Sequence, residues 1–242
     1  MNQRQLKIVR GIQWLTLPIA LKVGDKSSSH ELAVTQKEQA FFLPAAREPS
    51  QAIVDARRDL LATLEVEKPV GWWRAEVLHA EIARARTEAA AALSKDPAAA
   101  TVAALAKVLK QESAFWGTRA ACAKTLGTLR TPAARAALLD ALKVKAPKAR
   151  RAVVAALGQF RDDVEVADAL SAAAKKGDAS GFVEGELARA QPQRQAIGCL
   201  DDALGRHGNQ RAVEAPRIIL AIDFLGRGHQ FGRIDHVAGA AR

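Results

Sequence analysis

The chain begins with a period-two pattern of apolar and polar side chains. In the segment WLTLPIALKV, residues 14–23, the apolar side chains at every second position share one face. Such alternation over nine residues predicts a β-strand that buries one face. GDKSSS at 24–29 predicts a turn. Weaker strand patterns follow around Leu32–Thr35, Ala40–Leu43 and Ala52–Val54.

A small sheet with one apolar face needs another element to cover that face. The sequence offers no obvious second sheet for this purpose. We therefore interpret residues 1–68 as a small, incomplete antiparallel β segment, whose cover we expect to come from elsewhere.

From Val70 onward the apolar spacing changes to three and four residues, which predicts amphipathic helices. Asp96-Pro97 and Thr131-Pro132 are typical helix starts. Gly127 and Gly158 are interpreted as helix ends, with Gly127 as a left-handed C-terminal cap. The predicted helices cover about 72–94, 97–110, 115–126, 132–142, 148–157 and 163–175.

One motif, R-x-A-x-x-x-x-L-G, occurs twice at a separation of 31 residues. Its two copies begin at Arg119 and Arg150, and the apolar stripe between the motif residues is reproduced as well. Weaker copies are found around Arg86 and at 182–190. Helix pairs that repeat at this period predict a solenoid, because one pair cannot bury its apolar face alone. We expect the recurring arginine to bond a carbonyl or a carboxylate in the adjacent repeat.

The predicted fold class is therefore mainly α, a solenoid of helix pairs over 69–190 that follows the β segment. Residues 191–242 do not fit this pattern, because the helical stripe is lost and Gln191-Pro192 stands where the repeat requires Leu-Gly. Two interpretations remain open for this divergent or poorly ordered tail: a divergent cap, or translation of further repeats out of frame.

Composition narrows the function classes. The sequence has two cysteines, Cys122 and Cys199, which is too few for a disulfide framework and indicates a reducing compartment. It contains no apolar run long enough for a membrane span, and the apolar start lacks a signal-peptide cleavage site. We expect a cytoplasmic protein that does not associate with a membrane.

The formal net charge is +10, and a basic run without acidic residues lies at 143–151. Such a run is either a binding face for nucleic acid or an acidic protein, or a solvated loop between helices. It contains no aromatic residues, unlike a platform for single-stranded nucleic acid. The candidate partner-binding residues are Lys143, Lys145, Lys148, Arg150 and Arg151.

The histidines do not form a recognisable catalytic or metal set. His30-Glu31 begins a His-Glu pattern, but Val34 stands where the second histidine of His-Glu-x-x-His would be. His229, Asp235 and His236 are close in sequence, and a metal site there is the weakest alternative. We predict no catalytic residues, no metal and no cofactor.

The order of motifs resembles the C-terminal part of M1-family zinc aminopeptidases, in the bacterial subgroup with a HEAT-like helical domain. The resemblance covers about 7–190 and combines strands, E-K-P-x-x-W-W, F-W-G-x-R and the Ala-rich helix pairs. The residues that carry it are Trp14, Pro18, Phe41, Pro44, Asp55, Lys68, Pro69, Trp73, Phe115, Trp116 and Arg119.

The resemblance implies the end of a β-sandwich followed by the helical domain that caps an active-site chamber. In that family the zinc and general base lie on an upstream His-Glu-x-x-His helix, and a Gly-x-Met-Glu-Asn segment binds the substrate amine. Neither motif occurs in this sequence, so no family site residue carries over. We expect a non-catalytic module that is a remnant, or that docks on a separate catalytic chain. The alternative is a stand-alone scaffold for nucleic acid or an acidic protein.

Overall fold

The computed structural model describes residues 6–7, 15–36, 38–57, 59–60 and 64–190. Two antiparallel strand groups come first. They comprise β1 (Leu6–Lys7), β2 (Leu15–Val23), β3 (Lys26–Val34), β4 (Glu38–Gln39) and β5 (Gln51–Val54). Strand β2 lies between β3 and β5 in a three-stranded sheet, and β1 pairs separately with β4.

The strand predicted from the alternating pattern is confirmed as β2, whose side chains at Leu17, Ile19 and Leu21 are buried. The turn is shorter than predicted, because only Gly24 and Asp25 lie between β2 and β3. The three serines that follow belong to β3. The strand expected at Ala40–Leu43 is absent from the described residues, and the short β4 precedes that position.

The apolar face of the sheet is covered by this chain itself, contrary to our expectation. Trp72 packs there with its ring almost entirely buried. Further apolar side chains come from Phe41 and Leu43, between β4 and β5, and from Leu64 and Val66, between β5 and the first helix. These residues follow no regular periodicity, which is why the sequence pattern does not predict the cover.

Eight helices follow the sheet in the described residues, as four consecutive pairs. They are α1 (Val70–His79), α2 (Ala83–Ala92), α3 (Ala99–Lys110), α4 (Trp116–Leu129), α5 (Pro132–Asp140), α6 (Pro147–Leu157), α7 (Val164–Lys176) and α8 (Gly181–Ala190). The even-numbered helices pack in the order α2, α4, α6, α8, and the odd-numbered ones form the second layer. The predicted fold class, mainly α with a small antiparallel sheet and a solenoid of helix pairs, is confirmed.

The helix predicted at 72–94 is two helices. No glycine or proline marks the break, but Ala80 leaves α1 with extended backbone. Helix α2 can then fold back on α1 and bury Ala85, Ala89 and Ala90. Helix α3 begins at Ala99 without a side-chain cap, two residues later than Asp96-Pro97 suggested. The start at Thr131 is confirmed, because its hydroxyl accepts a hydrogen bond from the Ala134 amide at 3.1 Å.

The motif glycines are not left-handed helix caps. Gly127 lies inside α4, and the left-handed residue after this helix is Arg130, with φ of 50°. Gly158 follows α6 with a right-handed φ of −59°. Both glycines instead allow close approach to the next even helix. A Cβ on Gly127 would lie 3.0 Å from the Ala156 Cβ, and one on Gly158 would lie 3.2 Å from the Ala190 Cβ.

The repeated apolar stripe is confirmed. Cys122, Thr125 and Leu126 of α4 are buried, and so are the residues 31 positions later, Val153, Ala156 and Leu157 of α6. One continuous core therefore runs through the four pairs. The tail at 191–242, with its two open interpretations, lies outside the described residues.

Candidate interaction surface

The basic run begins in the turn after α5 and ends in the first turns of α6. Lys143, Lys145, Lys148 and Arg151 are exposed, whereas Arg150 is half-buried. The fold therefore separates this set into four surface cations and one arginine that points toward the next helix pair.

Intramolecular carboxylates neutralise much of the basic run. Arg150 donates to both carboxylate oxygens of Asp178 at 2.5 and 2.8 Å. Arg151 pairs with Glu186 at 3.1 Å, and Lys145 pairs with Glu112 at 3.1 Å. The run carries no acid in sequence, but stacking of the pairs brings acids from neighbouring repeats beside it.

Asp178 is held ionised by this arrangement. Its hydrogen bond from Arg150 keeps the pKa of the carboxyl below its ordinary value, and the same contact raises the pKa of Arg150. The Ser180 amide also donates to Asp178 at 2.9 Å. Arg150 is therefore part of the contact between α6 and the α7–α8 loop.

Lys148 contacts an aromatic ring from the preceding helix pair. Its Nζ lies 4.5 Å from the centroid of the Trp116 ring, at the start of α4. The Trp116 ring in turn lies 5.3 Å from that of Phe115, at an interplanar angle of 49°. In the described part of the chain, Lys148 forms no ion pair, and its exposed ammonium group contacts the face of the Trp116 ring.

Arg151 makes the corresponding contact with the following pair. Its Cζ lies 5.9 Å from the centroid of the Phe182 ring, near the start of α8. Lys148 and Arg151 are three residues apart on α6, so they lie on one helix face. As whole residues, Phe115, Trp116 and Phe182 are 52%, 43% and 76% exposed. We name these five residues, Phe115, Trp116, Lys148, Arg151 and Phe182, the aromatic–cation surface.

This surface is not evident from the basic run in the sequence, because the run has no aromatic residue of its own. The aromatics come from positions about one repeat before and one repeat after it. The signal that could have found them is the repeat itself, since Trp116, Lys148 and Phe182 all lie in the first turns of even-numbered helices.

Each recurring arginine bonds a backbone carbonyl of its own pair. The predicted contact with the adjacent repeat is made by Arg150 with Asp178 and by Arg86 with the Gln111 side-chain carbonyl. Arg86 Nε donates to the Val77 carbonyl and Arg119 Nε to the Leu109 carbonyl, both at 2.9 Å. Arg150 Nη1 donates to the Val144 carbonyl at 2.7 Å. Val77 and Leu109 lie in the last turns of α1 and α3, where carbonyls lack intrahelical partners, and Val144 lies in the connection between α5 and α6. These residues are structural and leave the exposed edge to other side chains.

A second charged cluster joins the sheet to the solenoid. Lys68 Nζ donates to both carboxylate oxygens of Glu76 at 2.7 Å and lies 3.9 Å from the Trp73 ring centroid. The Ala52 amide of β5 donates to Glu76 at 3.0 Å. Burial raises the pKa of the Glu76 carboxyl and lowers the pKa of Lys68, against their mutual attraction. This cluster is closed to solvent, and its role is to hold the first helix against the sheet.

The histidines of the described residues take part in no metal set. His30 lies on β3, where its Nε2 is 3.0 Å from the Ser28 hydroxyl, and His79 is exposed at the end of α1. No group of three or more potential metal ligands occurs in the described part of the chain. His229, Asp235 and His236 lie outside it. None of the described helices is long and apolar enough to cross a membrane.

Comparison with known proteins supports the repeat architecture. A sequence profile of HEAT repeats matches residues 102–190. No curated protein matches the sequence. Among solved structures, the chain is similar to Legionella pneumophila aminopeptidase A in complex with aspartic acid, with a TM-score of 0.54 and 12% sequence identity. The match covers 76% of this chain and 29% of that one. At this identity it shows similarity of fold, and this chain spans less than a third of the aminopeptidase.

Proposed function

We propose that this chain is a non-catalytic interaction module built from HEAT-like repeats. The observation that carries the proposal is the exposed edge of the even-numbered helices. There, three aromatic side chains remain at least 43% exposed beside Lys148 and Arg151. Exposed aromatics next to cations are costly in a surface that only contacts water, and they are enriched where proteins bind one another.

The finer proposal is that the module acts with a metallo-aminopeptidase catalytic chain. The similarity in fold to the Legionella aminopeptidase supports it, as does the order of strands followed by helix pairs. Strand β3 also pairs only with β2 among the described residues, so its other edge offers backbone groups to a strand of a partner.

The experiment is cross-linking of the tagged full chain in its native cells with a lysine-reactive reagent, followed by mass spectrometry. We expect a metallo-aminopeptidase chain in stoichiometric amount, cross-linked to Lys26 of β3. Lys107, on the exposed side of α3, is the matched control and should give no such cross-link. Recovery of no metallo-aminopeptidase would refute the finer proposal.

An activity assay tests the non-catalytic part separately. The purified chain, supplied with zinc, is incubated with a panel of aminoacyl fluorogenic substrates. We expect release no faster than in the blank. Peptidase activity that co-purifies with the chain and is abolished by a chelator would refute the proposal that the module is non-catalytic.

The second candidate function is a stand-alone scaffold that binds nucleic acid or an acidic protein through the basic face. The contact of Lys148 with Trp116 favours it, because this cation has no carboxylate partner in the described residues. Affinity for duplex DNA that falls steeply with added salt would support the nucleic-acid form.

A further inference from the structure

The aromatic–cation surface has a definite order of groups across three neighbouring helices. Phe115 and Trp116 lie at the start of α4, Lys148 and Arg151 on α6, and Phe182 near the start of α8. Apolar rings therefore stand at both ends and cations in the middle. A ligand that complements this order is apolar at both ends and negative between them.

The span of the surface limits the size of the ligand. Packed helices lie about 8–10 Å apart, so α4 and α8, on either side of α6, are about 16–20 Å apart. An extended chain advances about 3.3 Å per residue, so five or six residues cover this distance. The surface thus fits a short extended segment and is too small for a folded domain to fill with apolar contacts.

The charges of the surface favour a peptide over a nucleic acid. Glu186 and Glu112 lie beside Arg151 and Lys145 and already pair with them. A phosphate backbone would meet these carboxylates along its length and would have to displace them from the cations. A peptide can place a single carboxylate at Lys148, which is free of such a partner in the described residues.

We propose that the aromatic–cation surface binds an acidic, extended segment of a partner protein. Two apolar side chains of that segment, about five or six residues apart, pack on the rings at the two ends. A carboxylate between them pairs with Lys148. This inference rests on the proposed function as an interaction module and adds the site and the chemistry of its ligand.

Selection from a phage library of random peptides, each about a dozen residues long, tests the proposal on the immobilised full chain. We expect enriched peptides to carry Asp or Glu between two aromatic or large aliphatic residues. A synthetic, fluorescein-labelled copy of the most enriched peptide then serves as the probe in fluorescence anisotropy. Failure to enrich any peptide over the bare support, or enrichment of peptides without acidic residues, overturns the proposal.

Variants locate the bound probe. Lys148→Glu and the double variant Trp116→Ala/Phe182→Ala should each weaken binding about tenfold or more. Lys107→Glu and Phe42→Ala are the matched controls, since both residues are exposed elsewhere, and they should leave the affinity unchanged. Circular dichroism checks that each variant is folded.

Two further results would contradict the inference. An unlabelled single-stranded oligonucleotide that displaces the probe at equal concentration would assign the surface to nucleic acid. Affinity that survives both sets of surface variants would place the peptide elsewhere. That result leaves the interaction module standing, whereas intrinsic peptidase activity in the assay above would refute only its non-catalytic character and would leave the peptide site untouched.

Discussion

Lys68 Nζ lies 2.7 Å from both carboxylate oxygens of Glu76, and the two side chains are only 5% and 1% exposed. The carboxylate also accepts a hydrogen bond from the Ala52 amide of β5. Glu76, which lies on α1, therefore connects this helix both to the sheet and to the lysine that precedes it. Two charges removed from water cost several kcal/mol each, and their attraction offsets this cost only while both are present.

A double-mutant cycle at this pair should be strongly non-additive. Lys68→Met or Glu76→Gln alone leaves one charged group buried without its partner and should lower the free energy of unfolding by about 3–5 kcal/mol. The double variant keeps an acceptor for the Ala52 amide and should lie close to wild type. Urea denaturation of the four proteins measures this. Additive losses would show that the two side chains do not act as a pair.

Gly127 should not tolerate a larger side chain. Its backbone lies so close to α6 that a Cβ would stand 3.0 Å from the Ala156 Cβ and 3.1 Å from its Cα. Gly127→Val should therefore lower the free energy of unfolding by about 1–3 kcal/mol through overpacking. Gly185→Ala is the control, because nothing lies near a Cβ there, and it should stabilise α8 by about 0.5–1 kcal/mol. Equal effects at the two positions would contradict the close approach of α4 and α6.

The Arg150–Asp178 pair should make stability depend on pH in the acid range. The folded pKa of Asp178 lies below its unfolded value of about 3.9, so its contribution is complete above that pH and is lost as the pH falls through the folded pKa. Asp178→Asn should cost about 1.5–3 kcal/mol near neutral pH, and this difference from wild type should shrink at lower pH.

Thermal or urea unfolding over a pH series gives the comparison. Asp168→Asn is the control, an exposed aspartate on the same helix pair, and it should follow the wild-type curve at every pH. A loss at Asp178→Asn that stays constant down to the lowest pH would mean that the carboxylate charge is not what stabilises the contact.

Cys122 should be chemically silent in the folded protein. It is fully buried, and burial raises the pKa of its thiol to about 12. The reactive thiolate is therefore scarce at neutral pH. In the Cys199→Ser variant, Ellman's reagent should release no measurable chromophore from the native chain and one equivalent after denaturation. Rapid labelling of the native variant would contradict the burial of α4.

Features that repeat with a regular period, such as the buried stripe, could be predicted from the sequence. Features that depend on contacts between distant helices could not. The stripe through Cys122 and Leu126 recurs 31 residues later because the same packing problem recurs in each pair. The break after His79 has no local signal, since it follows from α2 packing on α1. The residue type of Gly127 suggests a helix end, but in the structure its lack of a side chain allows the close contact with Ala156.

The candidate site, too, was only partly predictable from the sequence. The basic residues at 143–151 were identifiable from their run, but their partners are 28 to 35 residues away in sequence, as in the contacts of Arg150 with Asp178 and Arg151 with Glu186. The rings of Trp116 and Phe182 come from equally distant positions. A run of like charges therefore says little about net surface charge in a solenoid, where neighbouring repeats supply the counter-charges.

The stacking of equivalent helix starts along one edge also has an evolutionary consequence. Three successive helix pairs, through α4, α6 and α8, each contribute side chains to the aromatic–cation surface, and pairs touch mainly their immediate neighbours. Duplication of one pair would lengthen the surface by a rung without disturbing the others, and loss of one would shorten it. The length of such a surface is thus set by the number of helix pairs in the chain. Its selectivity is set by single substitutions in the first turn of each even-numbered helix.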